Sequence, residues 1–193
     1  EMVKIAEGKS VLVKTTMENN FCLTAEQLEA AITPNTKLLM LCSPNNPTGS
    51  VYTLENLKAL VEVLKKHPQI VVLADEIYQH ILDTGKHETL AQFPELEDRL
   101  IIINGVSKAY AMTGYRIGWL ACHDKDLITA VKRLQGQTIS CATTIAQKAA
   151  EAAYTGPQEC VEEMRQAFER RRNLIVGLAK DIPGMKVLEP QGA

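Results

Sequence analysis

Between residues 37 and 105 the chain passes three times through a nearly unbroken apolar run: "KLLMLCS", "QIVVLADE" and "RLIIING". A strand that alternates apolar and polar residues has one wet face, whereas a continuous apolar run marks a strand covered on both faces. The stretch between the first two runs, "TLENLKALVEVLKKH", sets Leu54, Leu57, Val61 and Leu64 on one side of a helix. Strands interleaved with helices close as mostly parallel sheets with helices lying on both faces. The expected class is therefore α/β, a mostly parallel sheet flanked by helices. In such sheets a ligand sits beyond the carboxyl ends of the strands, so the residues directly after each apolar run are the ones to read for function.

Other segments extend the pattern. "SVLVKTT", residues 10–16, reads as a strand. "TAEQLEAAI" follows with Thr24 as N-cap and Gln27 three residues on, a capping box, and with Ala25, Leu28, Ala31 and Ile32 on one stripe. "RIGWLAC" is a further strand soon after the third run. Beyond it the chain turns helical, in "DKDLITAVKRLQGQ", "TTIAQKAAEAAYT" and the long "PQECVEEMRQAFERRRNLIVGLAKDI". The last carries acidic residues early and Arg170, Arg171 and Arg172 later, the order that the helix dipole favours. A solvated helix face explains those arginines better than an anion site. "MKVLEP" reads as a short closing strand. Glu1 and the final "EPQGA" lack the character of natural termini, so the chain reads as a segment of a longer protein.

The charge balance removes some classes of partner. A formal net charge of -2 offers no basic face to nucleic acid or to an anionic membrane. The apolar runs fall far short of a bilayer span, and no positively charged leader opens the chain. A 46% hydrophobic and 23% charged composition is ordinary for a soluble globular domain, so the expected compartment is the cytoplasm, or the plastid stroma for a plant or algal source. Cys22, Cys42, Cys122, Cys141 and Cys160 stand far apart with no CxxC pair, the pattern of reduced and mostly packed thiols. His80 and His87 are not at metal spacing for one helical face, and no metal is expected.

Three strand ends remain. Asn45 and Asn46 follow the first run, inside "SPNNPTGSVY". Asp75, Glu76 and Tyr78 follow the second. Ser107 and Lys108 follow the third, with Arg116 eight residues later. Singly, each has an ordinary explanation: turn chemistry for Asn46, a helix cap for Asp75, a half-buried aromatic for Tyr78, surface charges for Lys108 and Arg116. Together they place an amide, a carboxylate, a phenol, an amine and a guanidinium at one sheet edge. No GK[ST] phosphate loop, GxGxxG fingerprint or GxSxG elbow is present. Pyridoxal phosphate suits the set. Its aldehyde takes a lysine as a Schiff base, and its ring nitrogen needs a carboxylate to stay protonated as an electron sink. Its phenolate oxygen takes donors from a tyrosine and an amide, and its phosphate matches an arginine fork.

In order and spacing, "SPNNPTG", "ADEIYQH" and "GVSKAYAMTGYRIGW" resemble the motifs of class I, fold-type I aminotransferases. The bacterial-type aspartate aminotransferases, with the aspartate/prephenate enzymes of plants and bacteria, are the branch most similar. The likeness covers essentially the whole chain. It implies Lys108 as the Schiff-base and proton-shuttling lysine, Asp75 as partner of the pyridine nitrogen, and Tyr78 and Asn46 as donors to the phenolate oxygen. It implies Arg116 as the phosphate arginine with Ser107 beside it, and a cis Asn46–Pro47 bond. It also implies that residues 1–193 are part of the large, cofactor-binding domain of a homodimer with sites at the interface. One departure stands out: Gly105 lies three residues before the lysine, where the animal and enteric aspartate enzymes carry serine, so one phosphate hydroxyl is missing or replaced.

By the same resemblance the reaction is ping-pong transamination, with aspartate the first choice of donor and 2-oxoglutarate of acceptor. "GQTISCATTIAQ" resembles the segment that reaches the neighbouring subunit's site, yet holds no arginine for a distal carboxylate. The family's glycine-rich phosphate turn, ring-stacking aromatic, α-carboxylate arginine and partner-subunit tyrosine have no candidates here. The segment alone is expected to bind cofactor weakly and not to turn over. Other readings keep the cofactor and change the reaction: alanine or prephenate transamination, a cysteine-S-conjugate β-lyase, or an aminocyclopropane-carboxylate synthase. Another drops catalysis for a ligand-sensing domain of the same fold.

Overall fold

The three apolar runs become neighbouring strands, β1 (Leu38–Cys42), β2 (Val71–Asp75) and β3 (Leu100–Gly105). In the computed structural model, which describes residues 1–83 and 85–193, β1 pairs with β2 and β2 with β3, both in parallel. A fourth strand, β4 (Gly118–Ala121), lies antiparallel to β3, and the sheet order is β1-β2-β3-β4. Cys42 pairs with Asp75 and Asp75 with Ile103, so the carboxyl ends of the parallel strands lie side by side.

Six α-helices accompany the sheet among the described residues: α1 (Met2–Ile5), α2 (Ala25–Ala31), α3 (Leu54–Lys65), α4 (Lys125–Thr138), α5 (Thr144–Thr155) and α6 (Glu159–Lys180). Short side-chain caps start four of them. Thr24 and Thr53 close capping boxes with Gln27 and Asn56, Asp124 accepts the N–H groups of Asp126 and Leu127, and Thr143 accepts that of Ala146. Each cap satisfies a donor that the first helical turn leaves orphaned. No helix among the described residues is long and apolar enough to cross a membrane.

The core sits on one face of the sheet. There α3 buries Leu57, Leu60, Val61, Val63 and Leu64 against Val72, Ala74 and Leu100, joined by Leu28 of α2 and by Leu96. Arg99 ties the end of α3 to the start of β2, donating to the carbonyls of Leu64, His67 and Ile70 at 2.8–2.9 Å.

Several sequence expectations change on this scaffold. Residues 10–16 form no strand; Val11 and Leu12 are exposed, because strand propensity yields a strand only where an edge accepts the pairing. "MKVLEP" also lacks a ladder. The first apolar run is not covered on both faces: Leu38 and Met40 of β1 are 41% and 55% exposed, since β1 is an edge strand and no described element lies over that face. Arg172 leaves the solvated face assigned to it. Its side chain is only 11% exposed, it donates to the Pro190 carbonyl at 3.0 Å, and its Nε lies 3.6 Å from Asp83. All five cysteines are free, but Cys141 and Cys160 are exposed, not packed.

Candidate active site

The turn after β1 is built from its own side chains. Gly49 N–H donates to the Asn45 carbonyl at 2.7 Å, Asn45 N–H donates to the Ser50 carbonyl at 2.9 Å, and Thr48 Oγ1 donates to Asn45 Oδ1 at 2.9 Å. The Asn46–Pro47 bond is cis, as is Ser43–Pro44. Asn45 thus holds the turn, and Asn46 is left to point away from it. The turn after β2 carries Tyr78, whose carbonyl accepts Ile81 N–H at 2.8 Å. Asn46 Nδ2 donates to Tyr78 Oη at 2.9 Å, across 32 residues of sequence.

The turn after β3 supplies the amine. Lys108 Nζ lies 5.3 Å from the centroid of the Tyr78 ring. The lysine is half-buried between buried Val106 and Ala109, and its carbonyl accepts Ala111 N–H at 3.1 Å. Ala111 sits at φ +53°, a left-handed conformation that a residue with a Cβ adopts at a cost, and one that clusters at functional sites. At the end of β2, Asp75 Oδ1 accepts Ile77 N–H at 3.1 Å, which fixes the carboxylate next to the Tyr78 turn. Across the pair from it, the Cys42 thiol is pushed up by burial first and by the Asp75 charge second.

Three of the six residues singled out by the sequence, Asn46, Tyr78 and Lys108, meet directly. Asp75 stands at the strand end between their turns, and Ser107 is half-buried beside Lys108. Arg116 is exposed, at φ +53°, and its Nη1 donates to the Thr113 carbonyl at 2.9 Å. Gly105 acquires a steric reason. It pairs with Gly118 across β3 and β4, and a Cβ there would stand 2.8 Å from Gly118 Cα and 3.0 Å from the Ile117 carbonyl. A serine has no room while that pairing holds.

The contacts of Glu76 escaped the sequence reading. Glu76, directly after Asp75, is buried, accepts Thr89 Oγ1–H at 2.7 Å and lies 3.1 Å from His87 Nε2. The only signal for it was a second carboxylate at the end of an apolar run; its partners come from a loop with no periodicity to locate it. Among the described residues no group of three or more His, Cys, Asp or Glu side chains could hold a metal.

The comparisons with known proteins agree with one another. The profile of the family "Aminotransferase class I and II" matches residues 1–193. An aspartate aminotransferase of Geobacillus stearothermophilus is 50% identical over 100% of this chain and 49% of its own length. An aspartate/prephenate aminotransferase of Nitrosomonas europaea is 44% identical over 100% of this chain and 49% of its own. The crystal structure of the aspartate aminotransferase from Rhizobium meliloti superposes with a TM-score of 0.96 at 44% identity, covering 100% of this chain and 48% of that one. The chain therefore spans about half the length of the curated relatives it matches. With its mostly parallel sheet flanked by helices, its three motif-bearing strand ends and a family match over its entire length, this chain belongs to the class I and II aminotransferases.

Proposed function

We propose that the protein to which this chain belongs is a pyridoxal-phosphate-dependent aminotransferase, with aspartate as amino donor and 2-oxoglutarate as acceptor. Residues 1–193 are then part of its large, cofactor-binding domain, and the working unit is a homodimer. One observation carries the reading: an amide, a phenol and an amine from three separate strand ends converge, with Asn46 Nδ2 2.9 Å from Tyr78 Oη and Lys108 Nζ 5.3 Å from the same ring, while a carboxylate stands at the middle strand end. The aspartate aminotransferase names of the relatives support the choice of substrate.

The donor set fits the cofactor atom by atom. Tyr78 Oη accepts its hydrogen bond from Asn46, so its own hydrogen is free for a phenolate oxygen, and the Asn46 amide keeps a second N–H for the same purpose. Asp75 supplies the anion that keeps a pyridine nitrogen protonated. Lys108 Nζ is the amine that holds the aldehyde carbon. Ser107 and Arg116 would hold the phosphate, and the five N–H donors of a guanidinium would allow Arg116 to keep the Thr113 carbonyl while doing so. When bound, pyridoxal phosphate supplies a cationic conjugated ring that accepts electrons from the substrate α-carbon. With its amine free, Lys108 would move the proton: its Nζ would take it from the substrate α-carbon and later give it back.

The test is Lys108→Ala in the whole protein. The variant should keep its circular dichroism spectrum, lose the visible cofactor band and lose transamination of aspartate. Transamination that survives, or a band that does not change, refutes the assignment. Product analysis separates the related chemistries, a keto acid plus a new amino acid against pyruvate with ammonia or a cyclised product.

A further inference from the structure

Two turns carry the Asn46–Tyr78 hydrogen bond, and a third segment lies between them. Gly49, three residues after Asn46, accepts at its carbonyl the N–H groups of both Gln191 at 2.7 Å and Gly192 at 3.2 Å. On the other side, Ala193 N–H donates at 2.9 Å to the carbonyl of Ile81, three residues after Tyr78, and Asp83 N–H donates to the Gln191 carbonyl at 2.8 Å. Leu82 and Gly192 form an antiparallel bridge. Residues 191–193 are thus bonded through main-chain atoms to both turns at once, like a single strand slotted between two edges.

The slot leaves no space for side chains at two points. Gly49 adopts φ +69°, and a Cβ there would come to 2.2 Å from Pro190 Cβ. A Cβ on Gly192 would come to 2.5 Å from the Ile81 carbonyl oxygen and 3.3 Å from Pro44 Cβ. From outside, α6 anchors both partners. Arg172 donates to the Pro190 carbonyl at 3.0 Å beside the nearly buried Asp83 carboxylate, and Arg165 Nη1 donates to the Leu82 carbonyl at 3.3 Å.

We infer that residues 191–193 form a clasp that sets the register at which Asn46 meets Tyr78, with Gly49 and Gly192 as positioning residues and Arg172 as the anchor. The inference deepens, and rests on, the reading of Asn46 and Tyr78 as donors to the cofactor's phenolate oxygen. Both turns are loops, and a donor pair fixed in geometry does not follow from two loops that end on neighbouring strands. Main-chain bonds to one common segment supply the missing constraint. Loss of the clasp weakens donation to the phenolate, so the bound cofactor holds its proton to higher pH.

Gly192→Ala in the whole protein tests this. Without cofactor, the crystal structure should show the Asn46 Nδ2 to Tyr78 Oη separation opened beyond hydrogen-bond length. With pyridoxal phosphate bound, the pH midpoint of the visible band should rise by about one unit, a tenfold change in proton affinity. Gly184→Ala is the control: its backbone is equally left-handed at φ +79°, but nothing lies within 4 Å of the added Cβ, so it should lower the melting temperature without moving the midpoint. If Gly192→Ala does not fold, Arg172→Met, which removes the tie to Pro190, is read by the same two measurements. A folded variant that keeps both the 2.9 Å bond and the parent midpoint overturns the inference. A protein that takes up no pyridoxal phosphate refutes the reading of the site, and the cofactor-free distance then decides on the clasp by itself.

Discussion

Tyr78 accepts from Asn46 through its phenol oxygen and presents its ring to Lys108, so one side chain links two of the three strand ends. Tyr78→Phe keeps the ring and removes the acceptor. In the whole protein it should lower kcat/KM for aspartate about tenfold, or about 1.4 kcal/mol, the scale of one hydrogen bond lost from a site. Steady-state kinetics decide this, and an unchanged value excludes the phenol from the site. Gly105 is the other informative residue. Gly105→Ser forces β3 away from Gly118 and should cost about 1–3 kcal/mol, the range for overpacking, in urea unfolding. At this scale the sequence was legible in that Asn46, Tyr78 and Lys108, each from a different strand end, do meet. Arg116 lies eight residues past Lys108, and its guanidinium donates to the Thr113 carbonyl. The Glu76, His87 and Thr89 group was hidden, because contacts across an irregular loop leave no periodic trace.

α3 was readable to within its boundaries, since apolar residues at helical spacing survive translation into contacts. Thr53→Ala should cost about 1 kcal/mol and Leu64→Ala, a fully buried residue, about 2–5 kcal/mol. The loop entering α2 makes a prediction in pH. Burial pushes the Cys22 thiol up to about 11 and the Tyr52 phenol up to about 12. Both hold their protons more tightly folded than unfolded, so their contribution is complete below the ordinary values of 9.0 and 10.0 and is lost as pH rises through about 11 and 12. From neutral pH the urea midpoint should therefore hold up to pH 9.0 and fall above it. Tyr52→Phe should flatten part of that slope while costing about 1–3 kcal/mol at neutral pH, because the Leu23 N–H, now bonded to Tyr52 Oη at 2.7 Å, loses its acceptor. Residues 10–16 mark where element reading fails: a run of β-formers supplies half of a strand, and the other half is a free edge.

On the scale of the whole molecule the apolar surface is unevenly distributed. One sheet face is packed under α2 and α3, whereas Met40 on the other face is exposed, as are Leu174, Ile175 and Leu178 of α6 and Ile139 and Ile145 around the start of α5. Surface of this extent is what partner surfaces and binding faces are made of. The 193-residue chain alone should bind an apolar fluorescent dye strongly and show no measurable transamination; weak dye binding together with turnover would contradict that. By itself the sequence determined the four strands of the sheet, the helices between and after them, their mostly parallel association and the three strand ends at which polar residues gather, because these depend on local periodicity and on the handedness of short connections. Tertiary structure alone decided that Asn46 bonds to Tyr78, that Gly105 faces Gly118, that Arg172 is half-buried against Asp83 and Pro190, and that Gln191 and Gly192 bridge two turns. Each of those depends on which distant segments come to share one small volume, and pairwise contact at long sequence separation has no period for a sequence to display.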